Sequence, residues 1–219
     1  MTLTYADVLD RTAVLRTAEE VHRLVNRPEV SAAWTAESSC AGMTVGALTR
    51  HLVEQSRYAV LLLGPEAPVA PADAPTIGLL EHYGRPPWVG DGADEAGRLV
   101  VEKSEGQALE GPRAAVALQA EAVAALPVVL TDAPALTYLP WSGALLATDD
   151  FLVTRLMEMV VHADDLAASI DVPTPQLDHA VLGPVLGLLT ALAVTRHGQD
   201  AVVRTLTRPQ RAPESIAAL

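Results

Sequence analysis

The chain has 219 residues, half of them apolar, and its 27 acidic residues against 15 basic ones give a formal charge of −12. That length closes one sizeable hydrophobic core, and the acidic balance disfavours nonspecific binding to nucleic acid or an anionic membrane surface. The single cysteine, Cys40, excludes an intrachain disulfide framework and fits a reducing cytoplasm.

Mean hydropathy is +0.24 with only 4% aromatics, so the apolar content is Ala, Leu and Val, which suits interlocking helices and an all-α class. No basic-then-apolar leader opens the chain. No stretch reaches roughly 18 apolar residues without a charge, so a membrane span is not expected.

In chain order, a first helix is expected to open at Thr4, with Asp7 complementing its dipole and Val8, Leu9, Leu15 and Val21 as anchors, and to run to about Val25. Asn26-Arg27-Pro28 stops it, and an irregular stretch passes Trp34 and Cys40. Thr44 then has the position of an N-cap. Met43 before it and Leu48 after it have hydrophobic-staple spacing, predicting a helix over about Val45–Leu63 that Gly64-Pro65 closes.

Six prolines lie between Pro65 and Pro87, and an irregular insertion is expected over about 64–111, with short helices only near Ile77–Tyr83 and Asp94–Val101. Within it, Glu81-His82-Tyr83-Gly84-Arg85-Pro86-Pro87-Trp88 has the aromatic and polar character of a lid or pocket wall. A third helix follows over about Pro112–Leu126, Pro serving at the first turn. Pro134 to Trp141 is expected as an extended crossing. A fourth helix, capped by Thr148 or Asp149, spans about Asp150–Ile170, and shorter ones lie near Pro184–Gly198 and Asp200–Leu206. The boundaries expected are residues 1–173 for a bundle and 174–219 for a helical extension packed on it.

The fourth helix, FLVTRLMEMVVHADDLAASI, is apolar nearly all round except for Arg155, Glu158, His162 and Asp165 at i, i+3, i+7 and i+10, a narrow polar stripe. Glu158 and His162 stack on adjacent turns, where a carboxylate oxygen and an imidazole nitrogen can converge on one ion. On spacing alone, an exposed Glu/His pair is the commoner arrangement. The metal reading needs a third ligand. His51 shares the face of Leu48, Gln55 and Leu62 in the second helix and therefore points inward; if the two helices are neighbours, it meets the pair across the core. Two imidazoles and one carboxylate leave an open position, the mark of a catalytic metal site that binds water or a thiolate.

The runs GMTVGALTRHL at Gly42–Leu52, FLVTRLMEMVVHADDLAASI at Phe151–Ile170 and RHGQDAVVRTLTRPQRAP at Arg196–Pro213 resemble the mycothiol-dependent maleylpyruvate isomerase family of the DinB-like superfamily. The resemblance implies a four-helix bundle with added short C-terminal helices, a divalent metal, typically zinc, on His51, Glu158 and His162, and mycothiol as a thiol cosubstrate that attacks a small electrophile. It implies isomerase or S-transferase chemistry. Two alternatives stand beside it: a hydrolase or lyase using metal-bound water, and a noncatalytic ligand-binding bundle. The founding isomerases carry a C-terminal α/β domain, whereas only some 45 residues follow Pro173 here and read as helices, so that domain's thiol and substrate contacts do not transfer. A small thiol and a small electrophile are the expected partners, and bundles of this kind often form a homodimer.

Around the triad, Arg155 is read first as the partner of a carboxylate and second as an anchor for an anionic substrate. Asp165, three residues after His162, is placed to orient it. His82 and Arg85 line the site if the long loop folds over it, Arg85 suiting a carboxylate. Cys40 has no basic neighbour in sequence and reads as structural.

Overall fold

The computed structural model describes residues 2–84 and 92–218. Four long helices form a closed ring: α1 (Thr12–Val25) packs on α6 (Pro112–Thr131) and α7 (Thr148–Ser169), and α3 (Val45–Leu63) completes the square against α6 and α7. The core they enclose is aliphatic. Leu48 and Leu52 of α3, Leu126 of α6, and Phe151, Leu152, Leu156 and Met159 of α7 are fully buried, each contributing about 1.5–3 kcal/mol of apolar transfer. The fold is an all-α four-helix bundle, as the composition suggests.

α3 begins and ends as its local signals dictate. Thr44 Oγ1 accepts the Ala47 amide at 3.1 Å, Met43 and Leu48 are both buried, and Gly64 terminates the helix at Val60 O. Just inside the start, Trp34 lies so close over Gly46 that a Cβ there would stand 2.7 Å from the indole. The indole Nε1 donates to Ala108 O at 3.0 Å. The stretch before α3 also contains a short helix, α2 (Pro28–Ala32), that the pattern does not announce.

The first helix starts eight residues later than the Thr4 cap suggests. Thr4 Oγ1 donates instead to Asp150 Oδ2 at 3.0 Å, the Asp7 amide to Asp149 Oδ2 at 2.8 Å, and Asp7 itself has φ of 62°. The segment before α1 is therefore strapped across the first turn of α7, and Val8 is exposed. Correspondingly, neither Thr148 nor Asp149 caps α7; Ala147 occupies that position with no side-chain bond. A helix N-terminus favours carboxylates, and here Asp149 and Asp150 supply them while fastening the N-terminal strap.

The 64–111 segment is more helical than its prolines indicate. It holds α4 (Leu79–Tyr83) and α5 (Gly92–Ala108), the latter packed along α3. Polar ties fix α5 there: Glu105 Oε1 accepts the Thr44 amide at 2.7 Å and Lys103 Nζ donates to the Tyr58 hydroxyl at 2.9 Å, while Glu110, just beyond the helix, faces Arg50 at 3.3 Å. α6 runs through Pro127 to Thr131 rather than stopping at Leu126. The expected extended crossing is the first strand of a hairpin, β1 (Leu136–Leu139), which pairs antiparallel with β2 (Ala144–Ala147), Gly143 turning at φ 63°. β2 runs directly into α7.

After α7, α8 (His179–His197) lies on α7 and is capped by Asp178, whose carboxylate accepts the Val181 amide at 3.2 Å; α9 (Gln199–Thr207) follows. Pro184 sits inside α8, not at its start. α6 and α8 are long and apolar enough to cross a membrane by length and composition, yet α6 is one wall of the bundle and α8 packs against another.

Candidate metal centre

α7 is surrounded by bundle partners over most of its circumference, so its polar stripe faces the seam with α3. His51 on α3 reaches the same seam. His51 Nε2 stands 3.4 Å and His162 Nε2 3.3 Å from one oxygen of Glu158, Oε2. The two imidazoles meet edge to face with centroids 4.7 Å apart, and the three ligand atoms lie within 4.8 Å of one another.

The spacing carries chemical information. A good N–H···O bond is about 2.7–3.2 Å, shorter than either contact. Donors held about 2.1 Å from a tetrahedral ion stand about 3.4 Å apart, which is the separation of each imidazole nitrogen from the Glu158 oxygen. The three side chains retain 18–19% exposure, leaving one side of the site open to a ligand.

The next layer orients this set. Asp165 Oδ2 lies 3.0 Å from His162 Nδ1; a carboxylate there accepts a hydrogen bond from Nδ1–H, which keeps the proton on Nδ1 and leaves the Nε2 lone pair for an ion. Burial lowers the His162 pKa, but Asp165 and Glu158 outweigh it and raise it to about 9. Glu158 is pushed up by burial and pulled further down by His162, His51 and Arg155, so its carboxyl is held well below the usual range. Without a metal, a proton on His162 supplies the positive charge between these carboxylates. The donor set fits a divalent cation.

On the other side of Glu158, Arg155 is buried; its charge helps to hold Glu158 ionised, but its hydrogen bonds go elsewhere. Its Nη1 donates to Gln55 Oε1 and its Nε to Thr154 Oγ1. Gln55 Nε2 in turn donates to His51 O at 2.9 Å and lies 3.4 Å from His51 Nε2. Gln55 was recognisable in the sequence only as a residue one turn after His51 on the same face. His82, on α4, is buried against Tyr83; burial and then the Arg155 charge push its pKa down to about 4, against the opposing pull of Glu158. It therefore stands within electrostatic reach of the seam as a neutral imidazole. Arg85 lies outside the described residues. Cys40 is half-buried, and burial followed by the charge of Asp165 raises its thiol pKa, which disfavours the thiolate. A groove of about 380 Å³ lies between α7, Thr174–Leu177 and Leu182; Asp165 forms part of its wall, but none of the three converging residues does.

The four-helix bundle is of the DinB-like kind. The family model described as the mycothiol maleylpyruvate isomerase N-terminal domain matches residues 14–167, and the chain belongs to that family. The match runs from the first turn of α1 nearly to the end of α7 and contains all three converging residues. No curated protein and no solved structure matches the chain.

Proposed function

We propose that the protein is a metal-dependent enzyme that activates a low-molecular-weight thiol, mycothiol by family membership, for isomerisation of or transfer to a small electrophile. The observation that carries this reading is the convergence of His51 Nε2 and His162 Nε2 on one Glu158 oxygen at ion-ligand spacing. His51, Glu158 and His162 would hold a divalent ion, zinc being suited to two nitrogens and one carboxylate. Such an ion deprotonates a bound thiol at neutral pH. The chain's own groups do the rest: Asp165 fixes the His162 tautomer, Gln55 packs against the His51 imidazole, and the aliphatic core behind the seam excludes water from one side.

Elemental analysis of protein purified without a histidine tag tests the site. About one metal per chain is expected, lost in both His51→Ala and Glu158→Gln; full retention in both variants refutes the assignment. Thiol use is read by titrating cobalt-substituted protein with mycothiol, where a sulfur-to-metal charge-transfer band is expected. Its absence at saturating thiol favours water as the metal-bound nucleophile, and hence a hydrolase or lyase.

A further inference from the structure

α5 is attached to the bundle differently from the other long helices. The four ring helices and α8 each send leucines and valines into one apolar core, whereas no described side chain of α5 belongs to that core or packs against it. Among the described side chains of α5 only Ser104 and Ala108 are buried, and Leu99 is 53% exposed. Polar groups hold it instead. Lys103 Nζ lies 2.9 Å from the Tyr58 hydroxyl and 3.8 Å from Glu54 Oε2, and the Glu105 carboxylate accepts the amide and the hydroxyl of Thr44 at 2.7 and 3.1 Å. The Trp34 indole donates to the last carbonyl of the helix, Ala108 O. The α3 surface beside these contacts is charged to match: Arg50 and Glu54 are only 2% and 5% exposed. Among the described residues Arg50 Nε and Nη1 find no hydrogen-bond acceptor, although Glu110 stands 3.3 Å from Nη1.

Such a helix can leave as a unit. Opening free energy is lowest where few apolar contacts are buried, and lifting α5 uncovers little apolar surface while returning Arg50 and Glu54 to water, which favours charged groups. Partly exposed ion pairs are weak and screened by salt. A pivot is present at Gly111, between α5 and α6, whose φ of 85° only glycine adopts readily. The position of α5 gives the movement a consequence. Tyr58, which Lys103 holds, stands about two turns after His51 on α3, and its ring lies 5.9 Å from the Arg155 guanidinium. α5 therefore borders the α3 side of the seam. We propose that α5 is a hinged flap that opens and recloses while the four-helix ring stays folded, and that its opening sets how readily small molecules reach His51, Glu158 and His162. This rests on the reading of that seam as the functional site, and it adds the regulation of access to it.

Ser104, buried under the flap, reports the opening when replaced by cysteine in a Cys40→Ser background. With iodoacetamide, a neutral reagent, Ser104→Cys is expected to react about a hundredfold faster than Ser56→Cys, whose site is buried inside the ring. The Ser104→Cys rate should rise about fivefold from low to molar salt and by a similar factor in Lys103→Ala, while Lys103→Arg stays near the starting rate. Equal labelling at the two sites, or a Ser104→Cys rate that neither salt nor Lys103→Ala moves, overturns the flap. If a cysteine variant fails to fold, amide hydrogen exchange on the unsubstituted protein decides. Peptides of α5 should exchange about a hundredfold faster than those of α3 and α7, and equal protection refutes the opening. Access is read on metal-free, full-length protein by carbethoxylation of His51 with diethyl pyrocarbonate, located by mass spectrometry. Lys103→Ala should raise the rate at His51 about fivefold and leave that of the exposed His179 as it was; an unchanged rate at His51 overturns the control of access. None of these readouts uses a metal, so failure of the metal assignment, seen by elemental analysis, stays distinct from failure of this one.

Discussion

Two sets of carboxylates on α7 face opposite fates. Asp149 and Asp150, in the first turn, are buried and met by groups that carry fixed protons: the amides of Tyr5 and Asp7, the Thr4 hydroxyl and the Arg11 guanidinium. Glu158 and Asp165, further along, are met by His51 and His162, whose nitrogens can exchange a proton for a metal. The first set is complete as it stands and holds the N-terminal strap to the bundle. The second is complete only with a cation. The nature of the partner, more than burial, distinguishes the two sets.

Exchanging one acid from each set should give opposite readouts. Glu158→Gln removes a direct ligand, and metal affinity should fall by more than the roughly hundredfold seen when outer partners are lost, with helical circular dichroism retained. Asp149→Ala leaves Arg11 and the Asp7 amide without their acceptor; with Arg11 partly exposed, the expected cost is about 2 kcal/mol in urea unfolding, a loss of roughly 6 °C in Tm. Its metal content should remain that of the wild type. An Asp149→Ala protein that folds normally but loses its metal would erase the distinction.

Asp165→Asn tests the outer layer of the second set. An amide oxygen can still accept the Nδ1 proton of His162 but brings no charge, so metal affinity should drop about tenfold, at the low end for such partners. Asp165→Leu should reach about a hundredfold. Metal competition against a chromophoric chelator measures both, and identical affinity in all three proteins would mean that Asp165 is a solvated acid that merely lies near His162.

These contrasts also mark what could be read before the fold was known. The α3 boundaries were legible because Met43, Thr44 and Leu48 meet each other within two turns, and the Glu158/His162 pair because four residues on a helix fix their separation. His51 needed only its inward face and one long-range assumption, that the second and fourth helices are neighbours. Asp149 was expected as a cap because its actual partners lie some 140 residues earlier in the chain, and no local pattern announces a strap. Arg155 was expected on a carboxylate for the same reason: its stripe partners are three and ten residues away, whereas its actual acceptor, Gln55, comes from α3. The length of α5 was hidden by the glycines within it, Gly97 and Gly106; its ties to α3 include Lys103 with the Tyr58 hydroxyl and Glu54.

A further contrast concerns the protein stripped of metal. With His162 raised from 6.5 to about 9 in the fold, the folded state holds that proton more tightly than the unfolded chain does. The stabilisation is therefore fully present below about pH 6.5 and is lost as pH rises through 9. Urea unfolding in the presence of a chelator should show the metal-free protein weakening across that window, with a shallower decline in Asp165→Asn because one of the two carboxylates that raise the pKa is gone. In metal-loaded protein the same nitrogen would hold the ion in place of the proton, so this part of the pH dependence should vanish. Asp149→Ala, which leaves His162 and its two carboxylates in place, should shift the whole curve down without changing its slope. A metal-free wild type whose stability is flat from pH 6.5 to 9 would mean that His162 carries no proton between Glu158 and Asp165, and that the cation-shaped gap in the second set is not electrostatic in origin.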